Sequence, residues 1–186
     1  SVYGERFDQS YYKENIKLYP LSPYAITKRK AEKYLQNNFS NKSWILRFAP
    51  VYSTNYLINI HRRTKINHYF YRVGDGLNKL SLCNINNIKL AIEGIINNQI
   101  PPDIYNLSDK KYYNYKELLE WQKAPFTWSI PVYFIKLLYW ISKTIKHIFL
   151  IENTIKLITD NVYPSDKIRS FIDLPANLHD INIVDT

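Results

Sequence analysis

An α/β fold built on a parallel sheet is what these 186 residues predict, and three observations carry the prediction. Apolar strand-like runs alternate with stretches of helical periodicity, the pattern of parallel α/β sheets. Turn and breaker signals (Ser40-Asn41-Lys42, Pro50, Gly74-Asp75-Gly76, Pro101-Pro102) fall between those runs. The second half mixes short strands and helices, which suits a smaller lobe lying over the strand ends, where ligands bind in such sheets.

In order, Val2 to Gly4 reads as the end of a core strand, and polar, aromatic Glu5 to Leu21 as a loop over the site. Pro23 opens a helix, at a position proline favours, that runs through Ala31 and Leu35 to about Asn38. Trp44 to Ala49 is an apolar strand stopped by Pro50. Leu57 to Ile66 has helical periodicity with a basic side of Arg62, Arg63 and Lys65, and His68 to Val73 alternates as a strand. Leu80 to Cys83 is a further short strand, and Asn86 or Asn87 can cap the helix that follows to about Asn97. A strand over Ile104 to Leu107 and a short helix over Tyr115 to Gln122 complete the regular pattern.

Residues 130–151 are strongly apolar, but Lys136, Lys143, Lys146 and His147 interrupt them, which excludes a spanning helix. Lys136, Lys143 and His147 fall on one helical stripe. The favoured reading is a helix buried on its wide side with a basic wet edge, ahead of a helix lying on a membrane surface.

The chain carries net charge +9, which suits an anionic ligand such as a nucleotide diphosphate, nucleic acid or an acidic membrane. Its lysines are dispersed and no nucleic-acid motif appears, so nucleic acid is not expected as a partner. A single cysteine, Cys83, allows no intrachain disulfide and fits a reducing, cytoplasmic setting. The four histidines lack ligand spacing, so no metal site is expected. There is no methionine, and only 4 glycines stand where average usage of about 7% would give about thirteen. With a first segment that already reads as a strand end, the expectation is a piece of a longer protein.

Chemistry concentrates in Ser22-Pro23-Tyr24-Ala25-Ile26-Thr27-Lys28. Tyr24 and Lys28 are four apart, so both side chains share a helix face. An ammonium beside a phenol favours the phenolate and makes the tyrosine an acid/base for a carbinol or carbonyl. Spacing alone is weak, because Tyr112/Lys116, Tyr139/Lys143 and Tyr163/Lys167 share it among 17 tyrosines. Context separates the first pair: Ser1-Val2-Tyr3-Gly4 lies upstream and Ile45-Leu46-Arg47-Phe48-Ala49-Pro50-Val51-Tyr52 downstream.

That order closely resembles the extended short-chain dehydrogenase/reductases, and within them the NAD-dependent epimerase/dehydratase family acting on nucleotide sugars. The resemblance implies the C-terminal part of a Rossmann-type parallel sheet in residues 1–56. It implies a substrate-binding lobe in 57–186, with 86–108 returning to the sheet. It implies Tyr24 as the acid/base, with Lys28 bonding the nicotinamide ribose of NAD or NADP. Pro50 and Val51 match the segment beside the nicotinamide. The serine or threonine that completes the usual catalytic set would stand before Ser1. Ser1 itself matches a sugar-facing position that often holds glutamate in dehydratases, so 4-epimerase or 4-ketoreductase chemistry is favoured over elimination. For a UDP-linked or other nucleotide sugar, the resemblance points to Asn59 and Lys79 near the diphosphate and Tyr71 against the base, positions equally open to purely structural roles.

Departures are plain. No G-x-x-G-x-x-G occurs, so the adenosine half of the cofactor has no cradle in this sequence. Ser53 replaces a glycine, Ala49 an asparagine common in 4-epimerases, and Asn86 and Asn87 stand where acidic residues are usual. Asn106 is expected to hold a turn. The family implies a homodimer in full-length form. The alternative is a non-catalytic remnant or partner-binding fragment of such an enzyme.

Overall fold

In the computed structural model, which describes residues 2–181, the first regular element is helix α1 (Pro23–Phe39). Ser22 caps it by accepting a hydrogen bond from the Ala25 N–H, and Pro23 sits where its missing N–H leaves no bond unmade. The chain then forms β1 (Ile45–Phe48), β2 (Val51–Tyr52), α2 (Ile58–Thr64), β3 (Lys65–Ile66), β4 (Tyr69–Val73), β5 (Lys79–Leu80) and β6 (Cys83–Asn84). Helix α3 (Ile85–Ile96), β7 (Ile104–Leu107), β8 (Tyr113–Asn114), α4 (Tyr115–Trp121) and β9 (Thr127–Ile130) follow. Then come α5 (Val132–Thr144), α6 (Ile148–Ile158) and the single turn α7 (Asp166–Arg169), and a 3-10 turn (Leu178–Asp180) ends the order.

The architecture is mixed α/β with parallel pairs at its centre. β1 runs parallel to β7, with Ile45 opposite Ile104 and Phe48 opposite Leu107, and β2 runs parallel to β6. A backbone bond from the Ala49 N–H to the Leu107 carbonyl (2.9 Å) extends the β1–β7 pairing, and one from the Asp109 N–H to the Leu82 carbonyl (2.8 Å) links the end of β7 to the start of β6. A separate sheet has the order β3-β4-β9, antiparallel and then parallel, and β5 pairs antiparallel with β8. Tyr105, Leu107, Cys83 and Ala91 are fully buried in the core that joins the β1–β7 pair to α3. A second core gathers Tyr52, Ile60, Leu82 and Leu118, and a small third one holds Tyr71, Val73 and Ile135.

Several expectations are corrected. Val2–Gly4 forms a turn rather than a strand end, because Gly4 has φ +70° and its Cα lies against the Tyr19 carbonyl. The Leu80–Cys83 run splits into two strands: Leu80 pairs with β8 while Cys83 pairs with β2, so one straight strand cannot serve both. The α3 cap is Asn84, which accepts from the Asn86 N–H, and Asn87 is buried and hydrogen-bonds Asp109. The apolar stretch of 130–151 is two helices, broken at Lys146 with φ +56°, and His147 caps the second instead of extending a stripe. Most important, the wide side of α5 is exposed: among its residues only Ile135 and Ser142 are buried. Strand β9, parallel to β4, lies where no strand was expected.

Candidate active site

Parallel strands place their C-terminal ends and the N-terminal turns of following helices at one edge, where ligands bind. Here that edge is formed by α1, by the Phe48-Ala49-Pro50-Val51 segment after β1, and by α2. They surround an open cavity of about 590 Å³, within the usual range for a small-molecule site.

Tyr24 and Lys28 line this cavity from the first two turns of α1. Tyr24 is 69% exposed, and the Lys28 Nζ stands 5.7 Å from its ring centroid. Pro50 and Val51 form the facing wall, both half-buried. Asn59 joins them from α2; its side-chain amide donates to the Val51 carbonyl at 2.8 Å, which ties the helix to the strand end. Of the expected site residues, these five share one cavity.

The others do not join them. Ser1 lies outside the described residues. Tyr71 is corrected: alternation along β4 turns it inward, where it is 7% exposed beside Val73 and Ile135, so no ring face is open to a base. Its phenol is pushed up by burial, with Arg63 pulling the other way. Lys79 is exposed on β5, its N–H bonded to the Asp160 carboxylate at 2.7 Å, and it does not line the cavity. Asn106 holds no turn: it lies within β7 opposite Arg47, wholly buried, and donates to the Tyr12 carbonyl.

Sequence reasoning missed part of the wall. Arg63 lines the cavity one turn after Asn59, donating to the Asn59 carbonyl at 2.7 Å. Its signal was the basic side of that helix, which carried no assigned role. Lys156 reaches in from α6 and pairs with the buried Glu5 at 3.2 Å, a contact no local pattern announces. Beneath Tyr24 and Lys28, Arg47 grips Glu32 with two bonds, Nε to Oε1 at 2.9 Å and Nη2 to Oε2 at 2.8 Å. Arg47 also donates to the Tyr3 hydroxyl (3.0 Å), which donates to Asn106 Oδ1 (2.5 Å). Burial pushes the Tyr3 phenol up although Arg47 opposes it, so Tyr3 remains a protonated donor here.

Charge on the wall does not cancel. Glu32 offsets Arg47 and Glu5 offsets Lys156, while among the described residues neither Lys28 nor Arg63 is ion-paired. The wall therefore carries a cationic surplus at two separated points. Its donor set also fits the nicotinamide end of a dinucleotide: an ammonium and a phenol for a ribose diol, against the apolar Pro50–Val51 wall. The chain's glycines, Gly4, Gly74, Gly76 and Gly94, form no pyrophosphate cradle.

No protein-family model matches the chain, and no curated protein matches its sequence. Solved structures do share the fold. A conserved protein of unknown function from Silicibacter pomeroyi DSS superposes with a TM-score of 0.64 at 15% identity, covering 94% of this chain and 58% of that one. ADP-L-glycero-D-manno-heptose-6-epimerase from Helicobacter pylori gives 0.64 at 12% identity, with 95% and 52% covered. UDP-glucuronic acid 4-epimerase from Bacillus cereus, in complex with NAD, gives 0.60 at 15% identity, with 95% and 52% covered. The chain spans little more than half the length of these structures. At such identities the likeness is one of fold, matching the C-terminal part of the Rossmann-like epimerase architecture.

Proposed function

We propose that this chain is the C-terminal portion of an NAD(P)-dependent nucleotide-sugar 4-epimerase or 4-ketoreductase. On this reading residues 1–56 belong to the dinucleotide-binding domain and 57–186 to the sugar-nucleotide lobe, with 86–108 returning to the sheet. The observation that carries it is the meeting of Tyr24, Lys28, Pro50, Val51 and Asn59 around one cavity at the strand ends. Two of the solved structures sharing the fold are named as epimerases of nucleotide-linked sugars, which supports the substrate class.

A bound nicotinamide would accept or supply the hydride. Everything else falls to the protein. Tyr24 takes the proton of a sugar hydroxyl as the adjacent C–H bond breaks and the C=O bond forms, and returns that proton on reduction. Lys28 holds positive charge beside the Tyr24 ring, where the hydroxyl proton is exchanged. Asn59 and Arg63 face the sugar-nucleotide side, Arg63 offering a fork suited to a phosphate. Ser1 is assigned to the sugar.

The test uses the full-length protein with UDP-linked sugars and NAD(P)H, following both sugar configuration and reduced-cofactor consumption. Tyr24→Phe is expected to lower kcat by about 10²–10⁴ and to leave KM within about twofold, as loss of a proton-transfer group should. Arg63→Gln is expected to raise KM instead. Turnover by Tyr24→Phe equal to that of the unaltered protein would refute the assignment.

A further inference from the structure

The proposed activity makes no use of a broad apolar surface on α5 and α6. Helix α5 is apolar nearly all round, yet Tyr133 is 64% exposed, Leu137 55% and Trp140 61%. The exposure continues into α6 with Phe149 at 68%. A helix of this composition is normally covered, and patches of this extent mark an interaction surface. Its charge points to the cover. From Trp121 through Ile151 the sequence holds no aspartate or glutamate and four lysines, of which Lys136, Lys143 and Lys146 lie exposed on this same hairpin.

We propose that α5 and the first turn of α6 dock the protein on an anionic membrane surface, apolar rings in the acyl boundary and lysines among the headgroups. The helix is too short to do more: its 13 residues span about 20 Å against a hydrocarbon core of about 30 Å, and no described helix is long and apolar enough to cross a membrane. The Lys143 Nζ lies 5.2 Å from the Trp140 ring centroid, a cation and an amphipathic ring held together as an interfacial anchor needs. Beside them Phe7, Lys136, Tyr139 and Trp140 line an open apolar groove, with Phe7 edge-on to Tyr139 at 4.8 Å. The Arg6–Asp8 pair next to Phe7 adds no net charge. A second copy fits this face less well, because a two-fold contact would set the same lysines against each other with no carboxylate between them.

The experiment mixes full-length protein with sedimentable vesicles of phosphatidylcholine, with and without phosphatidylglycerol, at low and high salt. Co-sedimentation with the anionic vesicles that falls with added salt is expected. Replacing Lys143 and Lys146 together by Gln should weaken binding about 25-fold, at about fivefold per lysine near an anionic leaflet. Trp140→Ala with Phe149→Ala should abolish it, with circular dichroism showing both variants folded; these exposed side chains contribute nothing to the core. No sedimentation with anionic vesicles, equal binding to neutral ones, or undiminished binding by the aromatic variant would each overturn the proposal. So would a concentration-dependent dimer that the aromatic variant loses, which would assign the face to a second copy.

Discussion

Removing the Glu32 carboxylate should destabilise the protein far more than an average substitution, because it strands a buried guanidinium beneath the candidate site. Glu32 accepts from Arg47 at 2.9 and 2.8 Å and from Arg29 at 3.3 Å. The Arg47 side chain is 6% exposed, so in Glu32→Ala it would keep only the Tyr3 hydroxyl (3.0 Å) and the Glu14 carbonyl (3.2 Å). Two charge-assisted bonds lost set a floor of about 3 kcal/mol, and the cost of breaking a buried pair sets a ceiling of about 5 kcal/mol. Arg29 is 36% exposed and adds little. At about 2–4 °C per kcal/mol for a chain of this size, Tm should fall by about 6–20 °C. Thermal melts and urea titrations followed by far-ultraviolet circular dichroism would measure it. The companion variant Glu32→Leu with Arg47→Met should recover most of the loss, since it leaves neither charge orphaned. A loss under about 1 kcal/mol for Glu32→Ala, or no recovery in the double variant, would refute the reasoning.

Three further outcomes follow from the same geometry. Gly4→Ala should cost more than about 1 kcal/mol, since Gly4 has φ +70° and an added Cβ would lie 1.9 Å from the Tyr19 carbonyl oxygen; a neutral denaturation midpoint would show that this turn can reorganise. Asp109→Ala should cost at least about 3 kcal/mol, because the buried carboxylate accepts from Tyr52, Tyr113, Asn84 N–H and Asn87; three buried donors would lose their acceptor and Asn87 would keep only the Ala176 carbonyl; an unchanged urea midpoint would argue against that network. Burial would raise the Asp103 carboxyl, but Lys167 at 2.6 Å and the Ile104 N–H hold it below its ordinary value. A depressed folded-state pKa stabilises above the unfolded value and is lost as pH falls through the folded one. Asp103→Asn should therefore be less stable by about 0.2–1 kcal/mol at neutral pH, with the difference fading as pH falls below the ordinary aspartate range. A difference that instead grows in acid would reverse the sign and sink the account.

Local chemistry was legible where the answer was local. Ser22-Pro23 announced the start of α1, four-residue spacing put Tyr24 and Lys28 together, and alternation found β4. The same alternation could have warned that Tyr71 faces inward, since Tyr71 and Val73 share a parity and both are buried. What stayed hidden was tertiary. Arg63 and Lys156 meet at the cavity from helices far apart in sequence, and Arg47 finds Glu32 across the strand–helix interface. Leu80 and Cys83 separate into two strands because their partners, β8 and β2, come from opposite directions along the chain. For α5 the composition predicted a covered helix, but composition names no cover. Periodicity measures the need to bury a face; only the packed neighbours tell whether the fold meets it.

The cationic surplus of the cavity wall also constrains how a ligand would lie. Were all four wall cations unpaired, a ligand's negative end could settle anywhere. Glu32 and Glu5 neutralise Arg47 and Lys156, which leaves Lys28 on α1 and Arg63 on α2. Lys28 stands beside the Tyr24 ring, so a phosphate drawn there would displace the group whose proton Tyr24 is to exchange. Arg63 is anchored to Asn59, which is itself bonded to the strand end at Val51, so its charge is fixed to the opposite wall. On the proposed reading the diphosphate belongs at α2 and the reacting hydroxyl at α1, with the sugar spanning the two. Removing each charge in turn tests this polarity: Arg63→Gln should weaken nucleoside diphosphate binding strongly, and Lys28→Gln should weaken it little while lowering turnover. If both substitutions weaken diphosphate binding equally, the ligand does not lie in that direction.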